Sequence, residues 1–340
     1  MTGVPPPLRR GPPRPGARGD WSERHRRSRN GSDRAKTWRN PDVARPRGTE
    51  RVPMGLVAVL LVVAAAFAHA GWNFFAKRAG SAGAGFVWLT ATCSAALYLP
   101  VAAGVLLWQG VPPLGDWALG VLVSALVHLG YFLLLQRGYA VGDMSVVYPL
   151  ARGTGPMLAM VIAVLVLGER PGWLGVAGGL LVIAGVLVIG LSDGVPRSGA
   201  GLAGIGFGVL TGALIAVYTV WDAYAVTGLA LSPLLYDWAN NLTRSGLLAP
   251  YAARRRAHLA AVWSRHRAAV LAVALLSPLA YVLVLCAMQL APVSLVAPAR
   301  ELSIVIAGLL AWRFLGESQP GRRMTGAVVV LTGVVLLGLA

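Results

Sequence analysis

Ten long apolar segments joined by mostly short connectors leave this chain few ways to fold. They run over residues 55–75, 83–107, 117–140, 144–167, 172–192, 200–226, 230–252, 268–289, 293–315 and 323–340. A helix needs about 20 mostly apolar residues to cross a bilayer. Inside hydrocarbon its backbone amides must be satisfied within the segment itself. Charged residues make up only 13% of the chain, far below the quarter or so found in soluble domains. The expected fold is an all-α polytopic membrane protein with ten transmembrane helices.

The first 53 residues are a different polymer, rich in Pro, Arg and Gly and poor in aliphatic residues. Such a segment cannot bury a core and reads as disordered. It holds 14 of the 30 Lys and Arg residues, so the net charge of +17 does not argue for a nucleic-acid partner. Two readings compete: a basic tail lying on an anionic membrane surface, or translation that starts at Met54. The tail's arginine pairs have no apolar run behind them at export-signal spacing, which argues against a twin-arginine signal. The stretch AFAHA imitates a signal-peptidase site, but nine further spans follow it. The expected division is a tail over 1–53, a first five-helix repeat over 54–192 and a second over 193–340.

The repeat is visible as one offset held along the core. Trp72-Asn73 recurs as Trp221-Asp222, Tyr131 as Tyr281, and Ser145-Val-Val-Tyr-Pro149 as Ser294-Leu-Val-Ala-Pro298. Ala151-Arg152 recurs as Ala299-Arg300, and Leu167-Gly168-Glu169 as Leu315-Gly316-Glu317. Five crossings per copy is an odd number, so the second copy starts on the opposite side. The copies are then two inverted five-helix repeats. Such repeats support two near-equivalent states, each open to one side, with a substrate site between the copies.

The segments HAGWNFFAK, PLARGTGPMLAMVIAVLVLGERP and APARELSIVIAGLLAWRFLGE resemble EamA-type repeats of the drug/metabolite transporter superfamily. The resemblance covers residues 54–340. It implies a 5+5 arrangement and secondary transport of small metabolites, often outward, with architecture specified far better than substrate.

Charge placement suggests an orientation. Lys77, Arg78, Arg137, Arg197, Arg254, Arg255, Arg256, Arg265, Arg267, Arg313, Arg322 and Arg323 flank odd-numbered loops, whereas Arg170 alone lies in an even one. The positive-inside rule then puts the odd loops in the cytoplasm.

Polar residues inside spans are the candidates for a site, because they are costly in lipid and face the bundle interior or a wet cavity. His69, Asn73 and Lys77 share one stripe of the first span, with Trp72 on its edge. Lys77 reads as a residue that snorkels to the interface, whereas His69 and Asn73 lie deeper. In the sixth span Tyr218 and Asp222 are one turn apart beside Trp221, and Asp222 could equally be a solvated interfacial residue. In the seventh, Asp237, Asn240 or Asn241, and Arg244 share a face, either lining a cavity or forming an internal Asp237–Arg244 pair. Arg152 and Arg300 are repeat mates that follow Pro149 and Pro298, and Glu301 follows Arg300. His128, Tyr131 and Gln136 share a broad side of the third span, as Tyr281 and Gln289 do in the eighth. The substrate-binding candidates are thus His69, Trp72, Asn73, Tyr131, Arg152, Tyr218, Trp221, Asp222, Asp237, Asn241, Arg244, Tyr281, Arg300 and Glu301. The in-span charges balance, which suits a zwitterionic solute or internal ion pairs.

Glu169 and Glu317 read as loop acids, with Glu169 suited to the N-terminus of the helix that follows Pro171. Gly204, Gly208 and Gly212 allow close helix approach, within the bundle first and in a homodimer second. Cys93 and Cys286 read as small buried residues, and no metal-ligand spacing occurs. Neither a nucleophile elbow nor a phosphate-binding loop is present, so no enzyme chemistry and no cofactor are expected. The expectation is a secondary transporter of a small molecule in the cytoplasmic membrane, monomeric or homodimeric. Protons are the candidate coupling ion through Asp222, Asp237 or Glu301, with uniport as the other expectation. The alternative is a flippase for a lipid-linked substrate.

Overall fold

The structure, a computed structural model, describes residues 54–79, 83–112, 114–141, 144–190, 199–315 and 321–340. The tail over 1–53, the side chains of Lys77, Arg78 and Gln136, and Glu317 lie outside the described residues.

Among the described residues eleven helical elements follow one another. The first copy holds α1 (Leu56–Ala79), α2 (Gly83–Gln109), α3 (Leu114–Val141), α4 (Met144–Leu165) and α5 (Gly172–Gly190). The second holds α6 (Gly199–Thr227), α7 (Pro233–Arg254), α8 (Arg256–Leu290), α9 (Val293–Ala299), α10 (Leu302–Leu315) and α11 (Gly321–Leu339). Among the described residues, nine stretches are long and apolar enough to cross a membrane, with α9 and α10 counted as one broken span. The tenth crossing is α7, whose polar face sets it apart. Its 22 residues give a length of roughly 33 Å, enough for the hydrocarbon layer.

The helix pairing carries the two-fold relation. α1 packs on α8 as α6 packs on α3, and α4 packs on α6 as the α9–α10 span packs on α1. The α2–α7 and α5–α11 pairs map onto themselves when the copies are exchanged. Five crossings per copy make that relation an inversion across the membrane.

Glycine sets the tightest of these contacts. A Cβ at Gly178 would lie 2.8 Å from the Gly333 carbonyl oxygen, and one at Gly185 would lie 2.7 Å from that of Gly326. Both pairs are seven residues apart and mark a single seam between α5 and α11. Gly208 and Gly212 of α6 are spent on α4, where added Cβ atoms would run into Val147, Leu150, Thr154 and Gly155.

Two local expectations change, and one span is broken. The stretch 254–267 is helical rather than a loop: α8 starts at Arg256 and is kinked at His266, where φ is −127°. Its 35 residues amount to roughly 52 Å, well beyond the hydrocarbon thickness. Its first three turns therefore extend past that layer, with Leu259 and Val262 buried and Arg265 and Arg267 exposed. Pro298 does interrupt its span: the Glu301 amide bonds back to the Pro298 carbonyl at 2.9 Å, and that of Ser303 to Arg300 at 3.2 Å. Its counterpart α4 runs unbroken through Pro149 and Pro156. Glu169, finally, does not serve the helix that follows it. Its carboxylate accepts the Val293 and Ser294 amides at 2.9 and 2.8 Å, capping α9 in the other copy. Those amides have no intrahelical partner, and the negative charge suits the positive helix end.

Candidate functional site

Three polar clusters occupy the centre of the bundle. The first is built around Asp222, which is fully buried on α6 and so is not a solvated interfacial residue. Tyr236 of α7 donates its hydroxyl to Oδ1 at 2.6 Å, and Tyr281 of α8 donates to Oδ2. His128 Nε2 of α3 lies 3.9 Å from Oδ2. The imidazole stacks on Tyr218 with 4.1 Å between ring centroids, and Tyr131 meets Tyr218 edge-on at 5.7 Å. His128 Nδ1 is 2.9 Å from the Ser124 carbonyl, one turn back, so its orientation is set by its own helix. Four helices thus converge on one carboxylate.

The second cluster joins the copies. Arg152 of α4 places Nη2 2.8 Å from Glu301 Oε2, and Arg300 Nε lies 3.5 Å from Oε1. Arg300 Nη2 also donates to the Thr219 hydroxyl on α6 at 3.2 Å. Arg300 and Glu301 are neighbours at the break after Pro298, where the altered backbone lets both side chains face inward. Regular helix would point them about 100° apart. His69 of α1 lies within electrostatic range of Arg152 and Arg300.

The third cluster runs along α7. Asp237 and Arg244 do not pair directly, contrary to one of the two expectations for this face. Asn241 stands between them, donating to Asp237 Oδ2 at 3.0 Å and accepting from Arg244 Nη2 at 2.9 Å. Nearly two turns separate the charges along the helix, roughly 10 Å, too far for contact without the amide. The rest of the face is braced by neighbours. Asn240 donates to the Ser124 hydroxyl at 2.5 Å, and Trp238 donates to the Ala95 carbonyl at 2.9 Å.

The first two clusters meet on α6, where Tyr218, Thr219 and Asp222 fall within about one turn. Of the residues singled out in the sequence, Tyr131, Tyr218, Asp222 and Tyr281 come together, as do Arg152, Arg300 and Glu301, and as do Asp237, Asn241 and Arg244. Three do not join them. Asn73 donates back to the His69 carbonyl at 2.7 Å, and Trp72 packs edge-on against His69. Trp221 donates to the Gly120 carbonyl at 3.0 Å, bracing α6 on α3. His128, Tyr236, Ser124 and Thr219 were not among the candidates, although His128 was seen on the same side of its helix as Tyr131. Among the described residues no three His, Cys, Asp or Glu side chains converge to hold a metal ion.

Ten crossings in two copies, with charged groups from both copies meeting at the centre, define a polytopic membrane protein of the duplicated transporter type. The chain belongs to the EamA-like transporter family, which matches it twice, over residues 56–191 and 202–339. It is therefore a multi-pass membrane transporter. No curated protein matches it. A solved structure described only as "Crystal structure of protein" superposes with a TM-score of 0.65 at 17% identity, covering 83% of this chain and 96% of that one. That likeness shows the fold alone.

Proposed function

We propose that this transporter exports a small metabolite across the cytoplasmic membrane by alternating access, with its substrate held between the two copies. The observation that carries the proposal is the Arg152–Glu301–Arg300 cluster, in which one copy supplies a cation and the other supplies the remaining charges. A site that straddles the seam is remade whenever one copy rocks against the other. The broken α9–α10 span supports the same reading, since irregular backbone within a membrane is tolerated where it is buried in protein or lines a cavity. Metabolite profiling of a strain lacking the protein tests it. At least one solute should accumulate inside the cells and fall in the medium, with restoration by wild type but not by Glu301→Ala. Unchanged profiles inside and outside would sink the export reading.

The orientation follows from basic residues at the ends of helices. Arg254, Arg255, Arg265 and Arg267 are exposed around the start of α8 and belong in the cytoplasm by the positive-inside rule. Single cysteines at these positions, in a background without Cys93 and Cys286, should resist an impermeant thiol reagent in intact cells and react after permeabilisation. Labelling in intact cells would reverse the orientation and leave the fold untouched.

A further inference from the structure

We infer that Arg152 and Arg300 form a binding subsite for the carboxylate of the transported solute, a deepening that rests on the transport reading above. Two guanidinium groups share the one carboxylate of Glu301, so this cluster carries one cation more than it has anions in contact, although the in-span charges balance over the whole bundle. The other in-span acids are committed elsewhere, Asp222 to two tyrosine hydroxyls and Asp237 to Asn241. A charge without a contact partner inside a membrane-spanning bundle is costly. A monoanionic ligand would remove that cost.

The hydrogen-bonding capacity left over points the same way. Arg152 Nε, Arg300 Nε and the hydroxyls of Ser294 and Ser303 on either side of the break are buried with no hydrogen-bond partner, against two such acceptors, Glu301 Oε1 and Oε2. Each such group loses its hydration without compensation. A guanidinium presents a planar fork of donors that matches a carboxylate in two-point contact. Arg300 does not use that fork on Glu301: its Nε stands off at 3.5 Å, and one terminal nitrogen rests on a neutral hydroxyl.

Access and shape complete the case. The side chains of Arg152 and Arg300 are 12% and 9% exposed, against 1% for Glu301. The cations are the more accessible members of the cluster and the acid the least. Tyr131, Tyr148 and Tyr218 lie within electrostatic range of Arg152, and Tyr218 continues into the His128 stack. The solute that fits is small, carries a single carboxylate and has an apolar or aromatic body. Glu301 acts as the counter-ion of the empty site and cedes one guanidinium when the solute arrives.

The test uses the full chain, purified and placed in lipid nanodiscs, with three matched pairs of probes: acetate and acetamide, benzoate and benzamide, phenylacetate and phenylacetamide. At least one acid should bind tenfold or more tightly than its amide. Glu301→Gln raises the excess charge and should tighten that acid at least fivefold. Arg300→Gln leaves Arg152 and Glu301 as a neutral pair and should weaken it at least tenfold. If Glu301→Gln does not fold, Arg300→Gln decides alone. Equal binding of acid and amide in all three pairs, or an acid preference that survives Arg300→Gln, would overturn the inference. Either result leaves the export reading standing, because that reading is judged by the metabolite profile of the deletion strain.

Discussion

Asp222→Leu should abolish both stable folding and transport, and restoring the first should not restore the second. The substitution strips the acceptor from the Tyr236 and Tyr281 hydroxyls at once. Hydrogen bonds to a charged group contribute about 1.5–3 kcal/mol each, and stranded buried donors add a desolvation penalty. Two such bonds amount to a large share of the 5–15 kcal/mol that typically separates folded from unfolded states. Replacing all the partners together with apolar groups of similar shape is far less harmful. The triple variant Asp222→Leu, Tyr236→Phe, Tyr281→Phe should therefore regain a monodisperse gel-filtration peak, with transport still reduced at least a hundredfold. Wild-type transport by the triple variant would assign the network to structure alone. Double-mutant cycles among the three should be strongly non-additive, since they share one carboxylate.

The second large effect concerns the seam between α5 and α11. Gly185→Leu combined with Gly333→Leu should eliminate folded protein, because the atoms in the way include rigid backbone of the facing helix beside the methyls of Val330 and Val182. A Cβ at Gly333 would sit 2.7 Å from the Gly178 carbonyl oxygen, and one at Gly185 equally close to that of Gly326. Overpacking of this kind typically costs about 1–3 kcal/mol per site even for modest insertions. Single alanines should lower the melting temperature by several degrees. Gly206 and Gly246, which have nothing within 4 Å of an added Cβ, provide the control: alanine there should leave stability unchanged or slightly higher. Equal losses at the control and seam positions would show that the close approach is not what stabilises the bundle.

The parts of this molecule that a sequence displays are those written in period and offset. Segment length separates the spans, and the recurrence of Arg152 as Arg300 marks the seam where both end up. The polar face of α7 is legible because a helix brings residues three, four and seven apart to one side. The meeting of helices is another matter. His128 and Tyr236 have no polar repeat mates, and nothing in their spacing tells that each closes on Asp222. The repeat itself misleads at Asn73, whose counterpart Asp222 is a hub while Asn73 is spent on its own helix. Glu169 looked local because a carboxylate before a helix usually is. Its partners lie 124 and 125 residues away, and only the folded pairing of the copies brings them within reach.

The two copies share a backbone plan but not a charge plan. Of the charged residues in the three clusters, the first copy contributes Arg152, whereas the second contributes Asp222, Asp237, Arg244, Arg300 and Glu301. Glu301 has a glycine, Gly153, as its counterpart. If exchange of the copies were a true symmetry, the states open to each side would be equally populated. With the charges on one side of that exchange they cannot have equal free energy, and each kcal/mol of difference shifts their ratio about fivefold. On the alternating-access reading proposed above, the empty protein has a preferred resting direction, set by where the carboxylates lie rather than by the solute, and a ligand's work is to lift the protein out of it.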